Sequence, residues 1–96
     1  MAGLVRRAVH PYNRYGDLQV PTSLTLYQRD DCHLCDLALA VLARARAPEF
    51  VSVFIDGDEA LEGRYGIRVP VLREEDGGAE LCWPFDEAAV WRFLQM

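Results

Sequence analysis

No apolar run in the 96-residue chain approaches the roughly 18–20 residues that a membrane-spanning helix needs. The longest, Leu37 to Ala43, has seven. Basic charge is scarce: there is no lysine, and ten arginines face fifteen acids for a net charge of −5. That balance argues against a general binder of nucleic acid or anionic membrane. Cysteine is also sparse. Three is an odd number, whereas a secreted disulfide scaffold carries an even and denser set. Arg6 and Arg7 are followed by His10, Pro11, Tyr12 and Asn13 rather than by the apolar core of a signal peptide. The expected setting is therefore reducing and cytoplasmic, where a close cysteine pair is catalytic or metal-binding more often than structural. Repeats and low-complexity stretches are absent as well. What is present is one small domain's worth of chain, about half apolar and a quarter charged, which excludes general disorder.

Charge is uneven along it. Residues 1–20 hold Arg6, Arg7 and Arg14 against Asp17, and Gly3, Pro11, Asn13 and Gly16 interrupt any periodicity. This segment reads as a poorly ordered tail. A folded domain is expected over residues 21–96, about 76 residues and near the lower end of what folds unaided.

That domain reads as a series of elements. Ser23 to Gln28 alternates as a first strand. After the polar break Arg29-Asp30-Asp31, apolar side chains at Leu34, Leu37, Ala38, Val41, Leu42 and Ala45 follow helical spacing, with Pro48 closing the helix. Phe50 to Ile55 is a second strand, apolar on both faces except at Ser52, as in a central parallel strand under helices. Glu59 to Tyr65 is a short helix stopped by Gly66. A third strand begins at Pro70, Glu75 to Gly78 is a hairpin turn, and Ala79 to Trp83 is a fourth strand. Asp86 can cap a last helix whose buried stripe is Ala89, Val90, Phe93 and Leu94. The order is β-α-β-α-β-β-α, with a right-handed parallel β-α-β unit and an antiparallel final hairpin. Trp83 and Trp91 read as core packing, and Cys82 as a small buried strand residue.

Chemistry concentrates in Cys32-His33-Leu34-Cys35, after the first strand and at the mouth of the first helix. The partial positive charge and unpaired amides of a helix N-terminus stabilise a thiolate. Two intervening residues bring both sulfurs within bonding reach. The first cysteine stays exposed and the second turns inward, so Cys32 is the candidate nucleophile and Cys35 the resolving thiol. A protonated His33 would favour the Cys32 thiolate. Asp30 and Asp31 would oppose it, and Arg29 offsets them in part. Metal binding through the pair is the alternative, although four zinc ligands are not in sight and the other histidine, His10, lies in the tail.

Leu24-Thr25-Leu26-Tyr27, the Cys-x-x-Cys motif and Arg68-Val69-Pro70-Val71-Leu72 together resemble the thioredoxin-fold superfamily. They are most similar to the small glutaredoxin-like proteins of bacteria, over roughly residues 22–95. The resemblance implies a three-layer α/β/α domain with a four-stranded mixed sheet and a dithiol oxidoreductase. It implies a cis bond before Pro70, with the Val69 backbone open to pair with a substrate. It also implies substrate contacts by Arg29, His33, Val69, Pro70 and Asp86. Arg29 stands where the family places a lysine, and Asp86 where it places the aspartate that holds glutathione. No cofactor is required and no metal ligand is expected. The expected partners are protein or small-molecule disulfides met by a monomer, with no nucleic acid or membrane. Three departures stand out: His33-Leu34 for proline and an aromatic, Arg68 for threonine, and Cys82-Trp83 for a glycine pair. The bulk of Trp83 argues against glutathione as the reductant. A non-catalytic binding module on the Pro70 groove, or an iron–sulfur carrier, are the alternative functions.

Overall fold

The computed structural model describes residues 7–10, as backbone, and 23–95. Strand β2 (Leu24–Gln28) lies at the centre and is buried along almost its whole length. It pairs in parallel with β3 (Phe50–Phe54) and antiparallel with β4 (Val71–Glu74), which pairs antiparallel with β5 (Glu80–Cys82). Beyond β3 lies a strand from the segment read as a tail. Arg7–His10 forms β1, antiparallel to β3 with Arg7 opposite Val53 and His10 opposite Phe50. The sheet therefore has five strands in the order β1-β3-β2-β4-β5, a four-stranded core with one added edge. Four residues ending at a proline carry too little pattern to announce a strand. The bare edge of β3, with its row of unpaired amides and carbonyls, is what selects them. The other residues of the expected tail lie outside the described ones.

Three helices complete the order β-α-β-α-β-β-α of the core. Helix α1 (His33–Arg44) and α3 (Glu87–Leu94) cover one face. There Ala38, Val41, Leu42, Val90 and Phe93 pack on Leu24, Leu26, Phe50 and Leu72. Helix α2 (Glu59–Tyr65) covers the other, where Tyr65 and Leu61 meet Tyr27, Ile55 and Val71. Ser52, the polar interruption of β3, is buried but satisfied: the Gln28 amide donates to its hydroxyl at 2.7 Å.

Some boundaries move for local reasons. Helix α1 ends at Arg44, well before Pro48. The Arg46 and Ala47 amides fold back onto the carbonyls of Ala43 and Leu42, with Arg46 in the left-handed region at φ +56°. That is a Schellman closure with arginine where glycine is usual. The buried stripe of α1 centres on Cys35, Ala38, Val41 and Leu42. Leu34 and Leu37, expected inside, are 45% and 41% exposed on its rim. Trp91, expected in the core, is 52% exposed. Its indole N–H donates to the Ala45 carbonyl at 2.9 Å, tying α3 to the end of α1, so its polar end decides its place.

Candidate active site

Register assembles one end of the sheet. Tyr27 lies opposite Val71 and Val71 opposite Cys82, while the Trp83 amide donates to the Pro70 carbonyl at 3.1 Å. Chain leaving β2 at Gln28, chain entering β4 after Pro70 and chain leaving β5 at Cys82 therefore share one edge. The Val69–Pro70 bond is cis, as expected, and so is Trp83–Pro84 next to it, which was not.

Cys32 is the N-cap of α1. Its backbone is extended (φ −117°, ψ 110°), and its sulfur accepts the Cys35 amide at 3.2 Å. A sulfur thus fills the position that serine or aspartate usually holds, receiving a donor that the helix leaves unpaired. Cys32 is half-buried, Cys35 is 1% exposed, and both are free thiols. Burial pushes the Cys35 thiol up to about 12. Its hydrogen bond with Cys32 adds to this, and a bond with the Arg29 backbone opposes it. One thiol is reachable and hydrogen-bonded to a helix mouth; the other is held protonated beneath it.

The remaining sequence-predicted residues fare differently. His33 opens α1 and is exposed. Arg29 reaches α2: two nitrogens meet the Glu62 carboxylate at 2.9 and 2.7 Å, and one also meets the Gly66 carbonyl at 2.9 Å. The hydrogen bond with Glu62 raises the guanidinium pKa. Val69 is half-buried against Ile55, Tyr65 and Val71. Its amide donates to the Tyr65 carbonyl at 3.0 Å, so the Val69 backbone expected to be open to a substrate is already engaged through its N–H. Asp86 caps α3, accepting the Ala89 amide at 2.9 Å. Asp86→Ala is accordingly expected to cost about 1 kcal/mol in urea denaturation.

Sequence reading missed the charged cluster behind the loop that carries Pro70. Arg68 donates to Glu80 at 2.6 Å and to the Cys82 sulfur at 3.2 Å, and lies 5.5 Å from the Tyr65 ring centroid. Cys82 is thus half-buried beside a cation, not enclosed in the core. Arg73, directly opposite Glu80 in the hairpin, also meets it at 2.7 Å, a contact the turn position implies. Trp83 packs edge-on against Phe85 at 5.0 Å and joins the main core, as expected. A cleft of about 620 Å³ on the α2 face, lined by Thr25, Tyr27, Val53, Leu61 and Glu75 among others, includes none of the cysteines. Among the described residues, no three His, Cys, Asp or Glu side chains gather in a way that could hold a metal ion. Nor is any described helix long and apolar enough to cross a membrane.

Residues 23–95 match the family model described as Glutaredoxin-like domain (DUF836). The chain belongs to this glutaredoxin-like family. The domain is similar to the X-ray structure of protein XcR50 from X. campestris, at 62% identity over 76% of this chain and 96% of that one, with a TM-score of 0.73. The solution structure of XcR50 also has 62% identity, over 76% and 92% of the two chains, with a TM-score of 0.71. Protein Ne2328 from Nitrosomonas europaea is 35% identical over 77% and 92%, with a TM-score of 0.65. No curated protein matches the chain. The glutaredoxin-like domain thus carries a thioredoxin fold with its Cys-x-x-Cys pair at the start of α1.

Proposed function

We propose that the glutaredoxin-like domain is a dithiol thiol–disulfide oxidoreductase acting as a monomer, with Cys32 as nucleophile and Cys35 as resolving thiol. The observation that carries this reading is the helix-mouth geometry: a half-exposed Cys32 sulfur bonded to the Cys35 amide at 3.2 Å, above a buried Cys35. The Cys32 thiolate attacks a substrate disulfide RS–SR. A Cys32–SR bond forms, and one RS⁻ leaves and takes a proton. Cys35 then loses its proton to the departing sulfur and attacks Cys32. The second RSH is released and the Cys32–Cys35 disulfide remains. Two electrons pass from the domain to the substrate, and an external thiol reductant returns them. Protein or small-molecule disulfides in a reducing, cytoplasmic setting are the partners this supports. The half-buried Val69 segment, ahead of a cis Pro70 that is itself buried, is the proposed contact for a peptide substrate, with His33 exposed at the start of α1. The chemistry itself calls on no cofactor.

Equilibrating the protein with reduced and oxidised dithiothreitol at a series of ratios, then reading intact mass, tests this. The expected result is reversible loss of two hydrogens, located by digestion to Cys32 and Cys35. No reversible bond between them at any ratio overturns the reading.

A further inference from the structure

Acids flank the nucleophile along the chain. Exposed Asp30 and Asp31 immediately precede Cys32. Exposed Asp36 follows it by one helical turn, with its amide on the Cys32 carbonyl at 3.1 Å. Asp56 adds another from the loop after β3, its carboxylate accepting the Asp30 amide at 2.9 Å. The neighbouring cation is Arg29, which the family resemblance would make an anchor for an anionic substrate. It is engaged by both oxygens of Glu62 and by Gly66. Arg68, beside Val69, is directed to Glu80 and Cys82 instead. Among the described residues, five carboxylates toward this end (Asp30, Asp31, Asp36, Asp56 and Glu62) stand against the Arg29 guanidinium. Glutathione is itself a net anion, and Trp83 occupies the place where its family site has glycine.

Resting on the thiol–disulfide reading, we propose that the dithiol selects disulfides flanked by positive charge, with Asp31 and Asp36 as specificity residues and Glu62 as the residue that neutralises Arg29. The shared chemistry is an ammonium or guanidinium group close to the disulfide sulfurs, on a peptide or on a small molecule. Attack then begins from an encounter in which substrate cations meet the aspartates, and anionic disulfides are repelled before they reach Cys32.

The experiment measures single-turnover oxidation of the reduced full chain by cystamine, hydroxyethyl disulfide and dithiodiglycolate, which are cationic, neutral and anionic. Each rate is divided by that of free mercaptoethanol with the same disulfide, removing intrinsic reactivity. At low salt the normalised rate for cystamine should exceed that for dithiodiglycolate by about tenfold or more, with the neutral probe between. About 1 M salt should collapse the order. Asp31→Asn combined with Asp36→Asn should narrow the cystamine-to-dithiodiglycolate ratio about threefold. Glu62→Gln, releasing Arg29, should speed the anionic probe selectively. Equal normalised rates, or a lead for dithiodiglycolate, overturn the charge selection while leaving the dithiol reading intact. Failure to reduce hydroxyethyl disulfide overturns that reading, and the selection with it. A lysine-flanked peptide disulfide that outruns cystamine identifies the source as protein; the reverse identifies a small cation.

Discussion

Serine in place of Cys32 is expected to lower the rate of disulfide reduction by at least about 10³-fold, because a hydroxyl at neutral pH supplies no anion to attack sulfur. Nothing else at the helix mouth replaces it. Cys35 is buried and its thiol is pushed up to about 12, while Cys82 sits on β5 against Arg68. Serine can still accept the Cys35 amide and cap α1, so the fold should survive and the loss is chemical. Cys35→Ser should leave the first attack in place and stop the reaction at the mixed disulfide, visible as added mass of one substrate half. The two variants therefore separate the steps. Substantial activity in Cys32→Ser would move attack to another thiol, and rapid full turnover in Cys35→Ser would make the resolving step external. In the wild type, the contributions of Cys32 to the Cys35 pKa fall away once Cys32 is bonded to substrate, and burial remains the dominant cause. The resolving step should therefore still accelerate with pH, up to about tenfold per unit below that pKa, across roughly pH 7 to 10. Stopped-flow release of the second thiol measures this.

Much of this site was legible because its parts are local. A strand of alternating side chains, a polar break and Cys-x-x-Cys at the start of a helical stripe place the dithiol at a strand end and order its two sulfurs. Asp86 as a cap, and the Glu75 to Gly78 turn, are likewise decided within a few residues. What was not legible depends on distant partners. Arg29 looked free for substrate because Glu62, which claims it, is 33 positions away on another element. Leu34 and Leu37 fit the helical stripe, yet the rotation of α1 on the sheet decides which edge of a stripe is buried. Strand β1 exists through the open edge of β3 rather than through its own sequence. Trp91 followed its indole N–H to the end of α1 rather than its ring into the core.

Glu80→Gln should be costly for a change outside the hydrophobic core, because one carboxylate holds the cluster behind the loop that carries Pro70. Its side chain is 16% exposed. It accepts from Arg68 at 2.6 Å, Arg73 at 2.7 Å, the Tyr65 hydroxyl at 2.8 Å and Arg64 at 3.4 Å. Burial alone would raise its pKa, but the hydrogen bonds from Arg68, Tyr65 and Arg73 outweigh burial and hold it down to about 2. The amide keeps the shape and one acceptor, loses the charge, and turns an NH₂ toward guanidinium groups. The expected loss at neutral pH is about 2 kcal/mol, allowing for solvent screening at the cluster's exposed side. Because the folded pKa lies below the usual 4.5, this stabilisation is complete above that value and fades as pH falls from there toward about 2. Urea denaturation of both proteins should therefore give curves that lie well apart at pH 7 and converge on acidification. A constant gap across that range would assign the cost to packing. The site should feel the change as well. Arg68 immediately precedes Val69 and cis Pro70, and with the Glu80 charge removed its guanidinium loses its ion pair while keeping the Cys82 sulfur, the Tyr65 ring and a long contact of 3.5 Å to the Arg64 carbonyl. The Val69 segment then loses part of its support, and in the proposed reaction the rate with a peptide disulfide should fall more than the rate with hydroxyethyl disulfide, which is too small to use that segment.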